Sequence, residues 1–241
     1  VAHWALQLLA ARRAVALPQI RADLFEAFHA AAIHPDDAQI GACLAYMVRE
    51  RVGAAEVSDL YIPELARRLG AEWMDDALSF VQVSLATARI QALLRAIGCA
   101  WSADAAAPGA DRAIALVVPE GEQHSLGALV LLGQLRRLGV TVRLALGPAP
   151  GDVAEILRTG RMDGVFISVA GTAKLANVRK LVQEIRRSGP PGLPIVVGGT
   201  VVQTDIELAQ GLGVDLVTSD LRVALEACRT SEEAGHATVL A

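Results

Sequence analysis

Two kinds of apolar spacing divide this chain near residue 113. Beyond it, short apolar runs alternate with amphipathic stretches of helical period. Residues 113–119, 141–146, 164–169, 194–197 and 215–218 predict strands. Residues 125–138, 151–159, 172–187, 204–211 and 221–229 predict the helices that follow them. Strand then helix, in unbroken succession, predicts a parallel sheet, because each crossover lays a helix over one face or the other. The size and count suit a flavodoxin-like doubly wound five-stranded sheet in the order 2-1-3-4-5.

Before residue 113 no strand pattern appears. Residues 4–13 predict a short apolar helix that stops before Pro18. Residues 18–34 continue as helix, with Ile20, Leu24, Phe25 and Phe28 on one face. Pro35-Asp36-Asp37 is a start signal, since carboxylates in a first turn suit the free amides and the helix dipole. That helix runs to about Arg51, and Val52-Gly53 ends it. The next is expected from Ser58 or Asp59 to Gly70, with Pro63 in its first turn and Arg67-Arg68 in its last. Asp75-Asp76 breaks the chain, and Ser79 is expected to cap a helix over 80–97. Helices joined by short connections make a bundle. From Cys99 to Arg112 the composition turns to Ala, Asp, Pro and Gly, which reads as an interdomain linker. The expected organisation is α/β: a helical bundle over 1–98, a linker over 99–112, a sheet domain over 113–229 and a loose tail over 230–241.

Hydrophobic residues are 53% of the 241 and charged residues 20%, so the chain can bury a sizeable core and is not disordered. No apolar run reaches the ~18 residues a membrane span needs. Val1-Ala2-His3-Trp4 carries no signal segment, and a start without methionine is expected of a piece of a longer chain. The net charge is −4, and basic residues gather only in pairs such as Arg136-Arg137 and Arg186-Arg187, which argues against direct contact with nucleic acid. Cys43, Cys99 and Cys228 fit no zinc or redox spacing and are expected to be small buried apolar residues in a reducing cytoplasm. No nucleophile–base pair or carboxylate dyad is visible, so hydrolytic or redox catalysis is not expected.

The candidate chemistry lies where a doubly wound sheet binds ligands, at the carboxyl ends of the first, third and fourth strands. The first strand is followed by Glu122-Gln123-His124-Ser125-Leu126-Gly127. The third ends in Ser168-Val169-Ala170-Gly171, and the fourth in Gly198-Gly199. A metal-binding imidazole usually donates its other N–H to a carboxylate or carbonyl. Glu122 stands two residues from His124, within reach of that role. Glycines at Gly127, Gly198 and Gly199 would let a bulky ligand lie against the backbone. A dinucleotide fold is disfavoured, since Gly-x-Gly-x-x-Gly does not follow the first strand. The remaining histidines, His3, His29, His34 and His236, lack metal-ligand spacing and read as surface or structural.

This set resembles the cobalamin-binding domains of corrinoid proteins, whose pattern is Asp-x-His-x-x-Gly, then Ser-x-Leu, then Gly-Gly. The chain keeps His124, Gly127, Ser168, Gly198 and Gly199. It departs at Glu122, in place of Asp, and at Ala170, in place of Leu. Being one methylene longer, Glu122 is expected to hold the ring more loosely or not at all. The resemblance implies that His124 ligates cobalt in place of the cobalamin's own base, and that the nucleotide tail threads beside the sheet toward Ser168. It makes Glu122, Gln123, Ser125, Leu126 and Gly127 cofactor contacts, along with Val169, Ala170, Gly171, Gly198, Gly199 and Thr218. The helical half resembles the cap of such modules, with Trp73 over the corrin or its upper ligand. In the light-sensing cobalamin regulators that Trp is followed ten and eleven residues later by Glu-His; here Val83 and Ser84 stand there.

Two stretches narrow the resemblance. They are the loop 121–127 and the run from Val57-Ser58-Asp59-Leu60-Tyr61-Ile62-Pro63 through Trp73 to Ala88-Arg89-Ile90-Gln91. With Val217-Thr218-Ser219-Asp220-Leu221 they resemble the AerR/PpaA photosynthesis regulators and the related haem- or cobalamin-sensing domain of AppA, over about residues 55–229. That resemblance implies a cobalamin-binding, light- or redox-responsive antirepressor that acts on a DNA-binding repressor of PpsR/CrtJ type. Two other readings use the same histidine: a haem sensor, and a corrinoid methyl carrier serving a methyltransferase.

Overall fold

The computed structural model describes residues 19–104 (side chains through residue 97), 112–122, 124–171, 175–200 and 211–228. The helix expected over 4–13, nearly all of that over 204–211, Gln123 and the tail lie outside the described residues. The chain divides into two compact units, Val1–Leu93 and Leu94–Ala241. No described helix is long and apolar enough to cross a membrane.

The first unit is helical. Helix α1 is Ala22–Ile33 and α2 is Ala38–Arg49. α1 begins later than the sequence suggests because Arg21 is extended (φ −81°, ψ 123°), which leaves Ile20 half-buried outside it. The Arg21 amide donates to the hydroxyl of buried Tyr61 at 3.1 Å. Asp36 starts α2 by accepting the Ala38 amide at 2.9 Å.

Helix α3 differs from expectation at both ends. It comprises Ala54–Glu56, a π-turn Val57–Tyr61 and Ile62–Met74. It starts four residues early because Glu56 reaches back to the Gly53 amide at 2.8 Å. Pro63 therefore sits inside a helix, where its ring would crowd a regular preceding turn. The π-turn relieves this: the Ile62 amide bonds to Val57 O, five residues back. Gly70 does not end the helix, because Leu69 anchors it in the core and Arg68 pairs with Glu72 one turn on. Helix α4, Phe80–Asp104, opens on a reciprocal cap in which Ser79 Oγ accepts the Gln82 amide and Gln82 Oε1 accepts the Ser79 amide. It runs past the expected end at residue 97 into the expected linker. Gly98 alone costs only about 1 kcal/mol of helix propensity, and no proline follows until Pro108.

One ionic network ties α1 to α3. His29 Nε2 lies 2.7 Å from Glu72 Oε2, Arg68 Nε donates to Glu72 Oε1 at 2.8 Å, and Arg68 also pairs with Glu26. His29 is thus buried and structural. Burial pushes the Glu72 carboxyl up, but its bonds from Arg68 and His29 outweigh this and hold it below its ordinary value of 4.5. A depressed carboxylate stabilises the fold above its unfolded pKa and loses that stabilisation as pH falls through its folded one. Glu72→Gln is therefore expected to lower the urea midpoint at pH 7 and to narrow its gap to the wild type below about pH 4.

The second unit is the doubly wound sheet. Its strands are β1 Ala113–Val118, β2 Thr141–Leu146, β3 Gly164–Ser168, β4 Ile195–Gly198 and β5 Leu216–Val217. They are all parallel, in the order β2-β1-β3-β4-β5. The expected order is therefore the observed one. Helices α5 Leu126–Arg137, α6 Asp152–Thr159, α7 Leu175–Ser188 and α8, residues 221–228, accompany them. β1 and β3 are buried on both faces, which is why they read as continuous apolar runs; β2, at an edge, alternates. Val117, Val165, Ile167, Ile195 and Val197 form the core with Val178, Val182 and Ile185 of α7. Cys43 and Cys228 are buried and free, as expected, and burial pushes the Cys228 thiol up to about 11. The register sets Val117 beside Ile167 and Ser168 beside Gly198, so the carboxyl ends of β1, β3 and β4 share one edge.

Candidate functional site

At that edge β1 ends in a tight turn. The Glu122 amide bonds back to Pro119 O at 3.1 Å, and Gly121 at φ +76° takes the conformation glycine tolerates best. Asn177 of α7 holds the turn by donating to Glu120 O at 3.1 Å. The turn points Glu122 inward and His124 outward: their side chains are 4% and 79% exposed.

Both oxygens of the Glu122 carboxylate are engaged. Oε1 accepts the His124 amide at 2.9 Å and lies 2.7 Å from His124 Nδ1. Oε2 accepts the Ala170 amide, beyond the end of β3, at 3.1 Å. Burial pushes this carboxyl up; the amides of His124 and Ala170 and the imidazole outweigh it and keep it below 4.5. An ionised carboxylate only accepts, so Nδ1 donates to it, and in the neutral ring the outward Nε2 is left with the lone pair. The looser or missing bond expected of a glutamate is not what forms. The extra methylene lets one carboxylate span from β1 to β3.

The other expected contacts divide into two groups. Ser125 and Leu126 are half-buried at the start of α5 beside exposed Gly127. A Cβ on Gly127 or on Gly171 would meet nothing within 4 Å, so both border open space. Ser168 is buried at its strand end. Val169 enters only through its backbone, since its side chain belongs to the core. Gly198 and Gly199 have a different reason from the one expected. A Cβ on Gly199, at φ +102°, would lie 2.3 Å from Val169 O, and one on Gly198 would lie 3.0 Å from Thr218 O. The glycine pair lets neighbouring backbones approach, and the protein itself fills that space. Trp73 belongs to the helical unit. It is 52% exposed and lines a groove of about 330 Å³ with Phe80, Val83, Ser84, Thr87 and Gln91. The two positions that stand for Glu-His thus lie beside Trp73 and carry no metal ligand.

Sequence reasoning missed Thr200. Its Oγ1 donates to Ala170 O at 2.7 Å. No spacing signals this, because it joins segments that follow different strands, thirty residues apart.

A B12 binding domain profile matches residues 112–229. The chain is 36% identical over 174 residues to an uncharacterized 20.5 kDa protein in the bchF-crtJ intergenic region of Rhodobacter capsulatus, covering 72% of this chain and 91% of the relative. Residues 112–229 belong to the B12-binding domain family. The chain is also 26% identical over 147 residues to the HTH-type transcriptional repressor CarH of Myxococcus xanthus; this covers 61% of the chain and 48% of the repressor. In fold it is similar to the Methanosarcina barkeri monomethylamine corrinoid protein, with a TM-score of 0.66 at 15% identity over 88% of this chain and 98% of that one.

The residues present fit the cofactor of a B12-binding domain. Among the described residues no group of three or more His, Cys, Asp or Glu could hold a bare metal ion. A lone outward imidazole suits a metal whose equatorial positions are already filled by a macrocycle. The fixed Nδ1–H and the open space beside Gly127 and Gly171 meet the other requirements.

Proposed function

We propose that this B12-binding protein is a cobalamin-dependent sensor, responsive to light or redox state, that regulates transcription by binding a DNA-binding repressor of PpsR/CrtJ type. The observation that carries the cofactor half is the carboxylate-locked His124 at the end of β1. The regulatory half is supported by the match to CarH, a transcriptional repressor by name, and by the relative from the bchF-crtJ region. When bound, cobalamin would supply a cobalt centre able to exchange or release a ligand. His124 Nε2 would hold the cobalt and Glu122 would fix the ring, while Gly127 and Gly171 leave room beside the loop. Trp73 offers an aromatic face, and the protein works without a catalytic residue of its own.

A second reading, a corrinoid methyl carrier of a methyltransferase system, is favoured by the fold similarity to the monomethylamine corrinoid protein. A third is a haem sensor, since a single imidazole also suits haem iron.

The test is an absorption spectrum. The protein is mixed in the dark with adenosyl- or hydroxocobalamin, desalted and then illuminated, with His124→Ala in parallel. Retained corrin bands that shift in light and are lost in the variant are expected. Bands that remain unchanged by light would instead favour the methyl carrier or a signal other than light. Loss of corrin with a histidine-dependent Soret band after haem addition would overturn the cobalamin reading.

A further inference from the structure

We propose that Thr200 is a positioning residue for the His124 ligand, acting through the segment beyond β3; this rests on the reading of His124 as the lower ligand. The geometry is a relay across three strand ends. The turn after β4 grips the segment beyond β3 at three successive points. Gly198 O accepts the Val169 amide at 2.9 Å. The missing Cβ of Gly199 admits Val169 O to a place a side chain would occupy. Thr200 Oγ1 donates to Ala170 O at 2.7 Å. Ala170 in turn donates its amide to Glu122 Oε2, whose partner oxygen lies against His124 Nδ1.

Ala170 is thus held on both sides of its Cα, by Thr200 at the carbonyl and by Glu122 at the amide. Its own side chain contributes neither bond. The two bonds therefore do not depend on which side chain stands at that position. Glu122 reaches two strand ends, so the ring it carries is set by where the second end stands. A shift of the Ala170 amide by a few tenths of an ångström moves Oε2, rotates the carboxylate and lengthens the bond to Nδ1. The glycine pair and Thr200 therefore act on the metal ligand without touching the metal.

The experiment uses the full chain with hydroxocobalamin as the probe. Thr200→Val keeps the shape of the side chain and removes its donor; Thr200→Ser restores the donor. Losing one hydrogen bond of ordinary strength is expected to speed cofactor loss after desalting by about fivefold. The band positions should also shift away from those of the imidazole-ligated form, and Thr200→Ser should recover both. A Thr200→Val protein with wild-type band positions and release rate would sink the proposal. A second measurement reads the cofactor-free protein. In nitrogen-15 NMR, Thr200→Val should raise exchange of the Ala170 amide and shift His124 Nδ1, whereas no change at either atom overturns the relay. If the wild type fails to retain hydroxocobalamin, the functional reading fails, and the NMR pair still decides the relay. Gly199→Ala, which drives a Cβ against Val169 O, should show the same signs more strongly.

Discussion

Replacing Glu122 with alanine is expected to lower stability by about 3 kcal/mol and to abolish cofactor retention in the same step. The carboxylate accepts two backbone amides and one imidazole while almost wholly buried. Its removal leaves the Ala170 amide without this acceptor in a part-buried place, where a lost charged partner costs more than an ordinary hydrogen bond. For a unit of this size that loss lowers the melting temperature by about 6–12 °C. The imidazole, no longer held at Nδ1, is free to take either tautomer, and Nε2 is no longer the committed ligand. Glu122→Asp tests reach separately. It keeps the charge but is a methylene short of spanning from His124 to Ala170, so intermediate stability and a spectrum with a weakened lower bond are expected. Thermal unfolding of the cofactor-free protein, with corrin absorbance after desalting, checks both variants. An alanine variant that melts with the wild type would contradict the account of Glu122 as a buried strut.

In the helical unit the largest expected effect is at Arg89. Its side chain is only 7% exposed. Nε donates to Asp37 Oδ1 at 2.8 Å and Nη1 to Ala32 O at 2.8 Å, with further bonds to the carbonyls of His34 and Pro35. Those carbonyls end α1 and lead into α2, so a single guanidinium closes the connection between two helices from the side of α4. Arg89→Ala is expected to lower stability by about 2–3 kcal/mol, through lost charged hydrogen bonds and a cavity under the loop. Arg89→Lys should recover little, because an ammonium lacks the planar fork that addresses Asp37 and the carbonyls together. Urea unfolding followed by helical circular dichroism checks this; a lysine variant as stable as the wild type would show that charge alone suffices.

Parts of this protein were legible before any coordinates. The strands of the second unit could be read because β1 and β3 are buried on both faces and because Thr141–Leu146 alternates at an edge. Burial of that kind leaves its mark on consecutive residues. Helix ends were less legible. Gly70 and Gly98 resemble stop signals, yet α3 and α4 run through them, since packing and neighbouring helix formers outweigh a cost of about 1 kcal/mol. The π-turn beside Pro63 has no signature in the apolar spacing, because it is one extra residue absorbed into an otherwise regular helix.

The sequence by itself determined the parallel sheet and its strand order, the edge that carries the candidate site, and the histidine with its carboxylate two residues away. All of these depend on residues close in the chain or on apolar spacing. The tertiary structure alone decided what those residues do to one another. Glu122 reaches Ala170 forty-eight residues on, and Thr200 returns to Ala170 over thirty. Gly199 is required by Val169 O and not by open space. Such contacts are made between strand ends that meet only once the sheet has formed, and one partner in each is a backbone group, the same in every residue type. No pattern of side chains along the chain can record them.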